Sequence, residues 1–421
     1  MNNRVHEFEI VVVGAGPAGL AAACLAAENG QRVGVLDDTP WLGGQIWRGE
    51  QRKAARPEAQ KWFKRFRLSG ATLLDQTSVI ASLRPGVLRA EHPSGAREIH
   101  FQKLILATGA RELLLPFLGW TLPGVMAAGG LQSLAKHGWP VAGKKVVVVG
   151  TGPLLLAVAD GLKKFGAHIV STAEQAPLSR VAGFGLRLLA HPGKIFQGIG
   201  IKSRLLGVPQ RFGVWPVKAD GDGQLRSVTL TDGRKTWTEE CDLLACSFNL
   251  VPNVELPLAL NCELRDGFVR VDEWQATSAE NIFCAGEPTG IGGADCALVE
   301  GQIAGLAAAG RKEQASQLFA SRAGWHQFRA AMLAAFAVRP ELKKLAADDT
   351  IFCRCEDVTF GRVKQFSTWR DMKLQTRCGM GTCQGRTCGA AAKVILGWGM
   401  ESVRPPVLPA RISSLMAISS D

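Results

Sequence analysis

Phe8-Glu9-Ile10-Val11-Val12-Val13-Gly14-Ala15-Gly16-Pro17-Ala18-Gly19 is the stretch that decides the fold. The apolar, β-branched run 8–13 reads as a strand buried on both faces of a parallel sheet. The glycines follow at once, and the Ala-rich segment Leu20–Asn29 reads as a helix that Gly30 ends. Gln31–Leu36 is the next strand, so the segment forms a βαβ unit. Gly14 permits the tight turn, Gly16 lets backbone approach a pyrophosphate, and Gly19 lets helix and strand pack closely. Pro17 and Ala18 open the helix, whose free N–H groups and positive dipole end face the phosphates. Asp37 closes the second strand, where a carboxylate accepts from both ribose hydroxyls. An acid there favours an unphosphorylated ribose, as in FAD or NAD, over NADP.

The pattern recurs. Lys144–Val149 reads as a second buried strand, followed by Gly150-Thr151-Gly152-Pro153, the helix Leu154–Phe165, and a strand opening at His168. Glu174 stands where Asp37 stands in the first copy, and is the candidate ribose ligand of this fold. Leu155 replaces the third glycine, so a side chain pushes the helix away from the strand or demands shifted packing. No arginine pair follows the next strand to hold a 2′-phosphate, which disfavours NADPH. NADH, an adenine nucleotide held structurally, and an empty scaffold remain the open readings of this fold.

Three further segments resemble motifs of the flavoprotein disulfide-reductase type. Ala107-Thr108-Gly109 is similar to their strand-ending element, and Gly43-Gly44-Gln45 to the loop that runs beside the flavin. Thr277–Glu287 resembles their second FAD motif, with Gly286 and then Glu287 where an aspartate is usual. The resemblance implies that this acid holds the flavin ribityl chain; Glu is one methylene longer. No redox Cys-x-x-Cys lies near either fold, so disulfide exchange is poorly supported.

The 421 residues carry a net charge of +12, 47% apolar and 20% charged residues, and no tyrosine. That is an ordinary globular composition with room for two or three cored domains. The basic residues are scattered, without interleaved aromatics, which argues against nucleic acid and for acidic protein partners or phosphate-rich cofactors. No apolar run is long enough to span a bilayer, and the N-terminus has no secretory h-region. The expected location is the cytoplasm, with membrane association only through an electron acceptor.

Of eleven cysteines, Cys24, Cys241, Cys246, Cys262, Cys284 and Cys296 are dispersed in apolar sequence and read as small buried hydrophobes. The other five crowd into Cys353-x-Cys355, Cys378 and Cys383-x4-Cys388. Thiolates without histidine suit iron–sulfur or zinc, and neither pair has the Cys-x-x-Cys spacing usual for a structural zinc site. Arg377-Cys378-Gly379-Met380-Gly381-Thr382-Cys383-Gln384-Gly385-Arg386-Thr387-Cys388 resembles the bacterioferritin-associated-ferredoxin-like [2Fe-2S] module. That resemblance implies Cys353, Cys355, Cys383 and Cys388 as ligands, with Cys378 as an alternative.

These readings give an α/β chain of two Rossmann-like dinucleotide-binding domains, of the glutathione/thioredoxin-reductase type, and a C-terminal [2Fe-2S] domain. The expected boundaries are 1–118 with 248–310 for FAD, 119–247 for the second fold, 311–347 for a helical linker, 348–402 for the cluster and 403–421 for a tail. The order resembles the α (A-type) subunit of heteromeric flavin dehydrogenases: D-hydroxyproline dehydrogenase, opine oxidases, heteromeric proline dehydrogenases and the flavoprotein component of hydrogen cyanide synthase. The resemblance implies that a separate flavin-containing β subunit oxidises the amino acid, that a small [2Fe-2S] γ subunit can join, and that this chain relays electrons. D-Hydroxyproline is the favoured substrate, with opines or glycine next. No catalytic base is evident in this chain. The alternatives are a self-contained NADH-dependent reductase and a structural organiser that binds nucleotide.

Overall fold

The computed structural model describes residues 4–49, 56–399 and 403–416. It divides into two compact units, the first formed by 1–111, 252–329 and 401–421 and the second by 112–251 and 330–400.

In the first unit the opening strand runs Arg4–Val13, pairing in parallel with Val33–Leu36 on one side and Gly95–Leu106 on the other. Thr72–Leu74 continues the sheet beyond Val33–Leu36, and Ile282–Cys284 joins Gly95–Leu106 in parallel. The strands carrying the first glycine loop, the Thr108 element and the Glu287 element are therefore neighbours, with their C-terminal ends together. Ligands of open parallel sheets bind at that edge. The helix Pro17–Glu28 packs on helix Gly293–Ala308 at backbone distance: a Cβ at Gly301 would fall 2.1 Å from Ala18 O, and one at Gly305 2.3 Å from Ala22 O. The alanines of one helix and the glycines of the other are what permit that approach. The tail segment 403–416 belongs to this unit, where the Val407 N–H donates to Ile80 O; residues 417–421 of the expected tail lie outside the described residues.

The second unit is built on an all-parallel sheet in the order Gln210–Phe212, His168–Glu174, Lys145–Gly150, Leu243–Ser247, Val125–Ala127. Helix Leu154–Lys164 follows the second glycine loop. Leu155 is buried against Leu131, Val146, Val148 and Val158, so the helix stands off far enough to seat a leucine. An antiparallel meander, Trp215–Gly221, Leu225–Thr231 and Thr236–Glu240, completes the domain.

The helical linker expected over 311–347 is not a free-standing element, since the division between the units falls within the helix Phe319–Ala335. Leu342 is buried in the second unit's apolar cluster with Leu113, Phe117 and Trp215, and Val338, Leu345, Val394 and Ile395 pack against the same cluster. The Trp120 indole N–H donates to Ile351 O at 2.6 Å. These apolar and indole contacts place the cysteine module in the second unit. The module keeps its own small core, with Phe352, Val358, Val363 and Met372 around the buried cysteines.

Candidate functional site: two dinucleotide folds and a thiol cluster

In the first glycine loop, Gly14 has φ +104°, and a Cβ there would lie 2.2 Å from Ala107 O. A Cβ at Gly19 would lie 1.8 Å from Gly14 O. Gly16 is different: its Cβ would meet only Gly44 Cα, at 4.0 Å, and would otherwise project into open space. That position lies at the N-terminus of helix Pro17–Glu28, whose free N–H groups suit a pyrophosphate. Gly44, in turn, has no room for a side chain on the Gly16 side, where a Cβ would come within 2.9 Å of Gly16 Cα. Gln45 is exposed on the same turn.

Asp37 is 8% exposed and bonded to the loop it serves. Its Oδ2 accepts from the Ala15 N–H at 2.7 Å, and its Oδ1 from the Thr39 N–H and hydroxyl at 2.9 and 2.6 Å. Each carboxylate oxygen can accept further hydrogen bonds, so a ribose remains compatible with these contacts. Thr108 and Gly109 are held through Asn253: the Thr108 hydroxyl donates to Asn253 O at 2.7 Å, the Asn253 amide to Thr108 O, and the Asn253 N–H to Gly109 O.

Glu287 lies where the second motif placed it. Its Oε1 accepts from the Gly293 N–H at 3.0 Å, at the start of helix Gly293–Ala308. Its Oε2 is buried with no hydrogen-bond partner among the described residues. Burial pushes this carboxyl up to about 7, with the neighbouring Glu300 adding to the effect. A buried oxygen left unpaired costs free energy until a donor arrives, and a ribityl hydroxyl is such a donor. The longer glutamate side chain thus caps the helix with one oxygen and leaves the other buried and unpaired among the described residues.

The residue that sequence reasoning missed is Glu300, 1% exposed. Its Oε2 accepts from the Gly286 N–H and the Thr289 hydroxyl, both at 2.9 Å, and its Oε1 from His326 Nε2 at 2.8 Å and Arg329 Nη1 at 3.4 Å. Cys296 lies 3.6 Å from the same oxygen. Glu300 therefore fixes the Gly286–Thr289 turn that presents Glu287. The available signal was a lone carboxylate inside the otherwise apolar helical run Cys296–Ala309.

The second glycine loop is organised differently. Glu174 accepts from the Gly152 N–H at 2.7 Å, the Thr151 hydroxyl at 2.9 Å and the Ala176 N–H at 2.7 Å. Burial still pushes its carboxyl up to about 7, against these hydrogen bonds. Asp37 bonds the residue after the first glycine, whereas Glu174, one methylene longer, reaches one residue further. Residues 336–339 of the chain itself then cover this corner. The Gln175 amide donates to Ala337 O at 3.1 Å and to Thr151 Oγ1 at 2.9 Å. The Arg339 N–H donates to Gln175 Oε1, and Thr151 Oγ1 stands 3.3 Å from Phe336 O. The Phe336 ring packs edge-on against Phe184 with centroids 5.4 Å apart, and the Arg339 guanidinium lies over Trp215 at 4.6 Å. Backbone and aromatic groups thus occupy the acid-bearing corner where a second nucleotide's ribose is expected.

In the cysteine module, the sulfurs of Cys353, Cys378 and Cys388 lie within 4.8 Å of one another, all buried. Of the four ligands implied by resemblance, Cys353 and Cys388 are in this group. Cys355 is exposed, with Sγ 3.8 Å from Thr382 Oγ1, and Cys383 is half-buried. The cause is local: Cys353 ends a buried strand, Cys388 opens a buried helix, and Cys378 is turned inward before Gly379, φ +84°. Hydrogen bonding among the three thiols pulls Cys353 down and pushes Cys378 and Cys388 up. Three buried sulfurs this close are a donor set suited to a soft metal centre. Cys355 lies beside Gly381, where an added Cβ would fall 2.3 Å from its own. The three buried sulfurs fit a thiolate-held metal centre, with Cys355 and Cys383 outside that group. The six dispersed cysteines are all buried, and burial pushes the thiols of Cys24 and Cys241 up to about 12.

The paired dinucleotide folds define an oxidoreductase of the two-domain flavoprotein class. Residues 8–303 match the pyridine nucleotide-disulphide oxidoreductase family, and the chain belongs to it. The first fold is that family's FAD-binding domain. An opine oxidase subunit of Rhizobium meliloti (strain 1021) is 34% identical, over 96% of this chain and 97% of the relative. Hydrogen cyanide synthase subunit HcnB of Pseudomonas aeruginosa is 30% identical, over 90% of each chain. Among solved structures, L-proline dehydrogenase from P. horikoshii superposes with a TM-score of 0.72 at 19% identity, over 99% of this chain and 80% of that one. It shares the fold.

Proposed function

We propose that the chain is the FAD- and [2Fe-2S]-containing α subunit of a heteromeric amino-acid dehydrogenase, relaying electrons from a flavin-bearing catalytic β subunit toward an acceptor. The observation that carries this reading is the covered second fold. With Phe336–Arg339 across the Glu174 corner, NADH has no ready seat. Electrons must then enter from elsewhere. The relatives named as subunits of opine oxidase and hydrogen cyanide synthase support a partner as the source. The substrate is an amino acid of the D-hydroxyproline, opine or glycine type.

When bound, FAD supplies the change between two-electron and one-electron steps, and a [2Fe-2S] cluster supplies single-electron transfer. This chain's residues hold those groups. Gly16 and the N-terminus of helix Pro17–Glu28 receive the pyrophosphate. Asp37 receives the ribose, and Glu287 Oε2 accepts from the ribityl chain. Cys353 and Cys388 from the interior and Cys355 and Cys383 from the surface ligate the cluster, with Cys378, beside Cys353 and Cys388, as the alternative ligand. Stopped-flow mixing of the isolated holoprotein with NADH tests the reading. No flavin bleaching on the turnover timescale is expected, while co-expression with the β subunit restores reduction by the amino acid. Rapid bleaching by NADH alone would sink the proposal.

A further inference from the structure

Residues 175–219 contain no aspartate or glutamate but carry seven lysines and arginines: Arg180, Arg187, Lys194, Lys202, Arg204, Arg211 and Lys218. The centre of this stretch is a helical hairpin, Leu178–Arg187 followed by Pro192–Arg204, set after the strand that ends at Glu174. Its inward residues are accounted for, with Phe184 against Phe336 and Leu205 in the core beside Val158 and Leu162. Its outward residues are not. Leu186, Leu189, Phe196 and Leu206 are 70, 71, 74 and 78% exposed, and Leu178 and Ile199 are about as open, at 60 and 59%.

On the first helix, Leu178, Ala182, Leu186 and Leu189 recur at the spacing of a helical stripe. On the second, Phe196 and Ile199 stand one turn apart. Arg180, Arg187 and Lys202 are exposed among them. Isolated surface leucines need no explanation, but six large apolar side chains exposed within one 29-residue segment, 178–206, mark an interaction surface.

The charge pattern indicates the occupant. Arg204, Arg211 and Lys218 are ion-paired with Asp160, Glu239 and Asp220, while Arg180, Arg187 and Lys202 are exposed beside the apolar side chains, and neither helix carries an acidic residue. Basic amphipathic helices of this composition lie in the plane of an anionic bilayer, with leucine and phenylalanine in the acyl boundary and lysine and arginine at the headgroups. We infer that the hairpin 178–206 is a peripheral docking surface for an anionic lipid membrane. The lipid binds through its phosphate headgroups and acyl boundary; among the described residues no helix is long and apolar enough to cross the bilayer.

The test is co-sedimentation of the full-length holoprotein with vesicles of phosphatidylcholine containing phosphatidylglycerol, and with vesicles of phosphatidylcholine alone. Binding to the anionic vesicles that weakens with salt is expected, with little binding to the neutral ones. L189S/F196S, which removes outward apolar groups, and R187Q/K202Q, which removes charge, should each lower the bound fraction tenfold or more, with the flavin spectrum and Tm unchanged. Failure to bind anionic vesicles, or binding that both variants retain, overturns the inference. If instead the variants keep vesicle binding and release the catalytic partner from the co-purified complex, the face is a protein interface and the inference is equally overturned.

Discussion

Gly16 and Gly19 sit three residues apart, yet a methyl group would act on them in opposite ways. At Gly19 the added carbon collides with Gly14 O at 1.8 Å, so Gly19→Ala should lower stability by several kcal/mol, as overpacking against rigid backbone does, at about 1–3 kcal/mol or more. At Gly16 it enters the space left for the phosphates. Gly16→Ala should therefore melt within about 1 kcal/mol of the parent while its FAD affinity falls at least tenfold; a flavin-content assay beside a thermal melt separates the two. Glu174 carries a pH signature. Its carboxyl lies at about 7 in the folded chain against an ordinary 4.5, so folding favours the protonated form. The stabilisation is complete below 4.5 and lost as pH rises to about 7, a change on the order of 3 kcal/mol at the limit. Glu174→Gln should flatten the stability of the second unit between about pH 5 and pH 8, read as denaturant midpoints. An unchanged slope would refute the assignment.

At the scale of elements, the βαβ unit at the N-terminus was legible because strand, glycine loop, helix and acid are contiguous in sequence. The same holds for the second strand and helix, and for Thr277–Glu287. What could not be read was what closes each site. Glu300 reaches Gly286 from the adjoining helix, and His326 and Arg329 reach Glu300 from a third segment; these meetings depend on tertiary packing rather than spacing. The covering of the Glu174 corner by 336–339 was hidden for the same reason, and the segment read as a helical linker from its Ala-rich, charged composition. The cysteine module was half legible. Its composition announced a soft metal centre, while the inward turn at Cys378 depends on a backbone conformation. Serine substitutions resolve the ligand set: C353S, C388S, C355S and C383S should each lose the visible cluster bands, and C378S should keep them with a shifted midpoint potential. Loss of the bands in C378S with retention in C355S would move the ligand role to Cys378.

For the whole molecule, one chain combines an FAD fold, a second dinucleotide fold built to the same plan, and a thiol cluster that packs in the second unit. Among the described residues, no helix is long and apolar enough to cross a membrane. Amino-acid oxidation should appear only when the β subunit is co-expressed, with a panel of D- and L-amino acids as substrates and an artificial one-electron acceptor as readout. Turnover by this chain alone would place the catalytic centre here instead.

The segment over the Glu174 corner has a consequence for competition. A covalently tethered group that fits its own binding corner is present there at an effective concentration on the order of millimolar. A free nucleotide at similar abundance gains nothing from mass action against such a resident. It could displace Phe336–Arg339 only through stronger contacts than the segment itself makes with Thr151 and Gln175. The acid-bearing corner of this fold is thus held by a segment of the chain's own, which dilution does not remove.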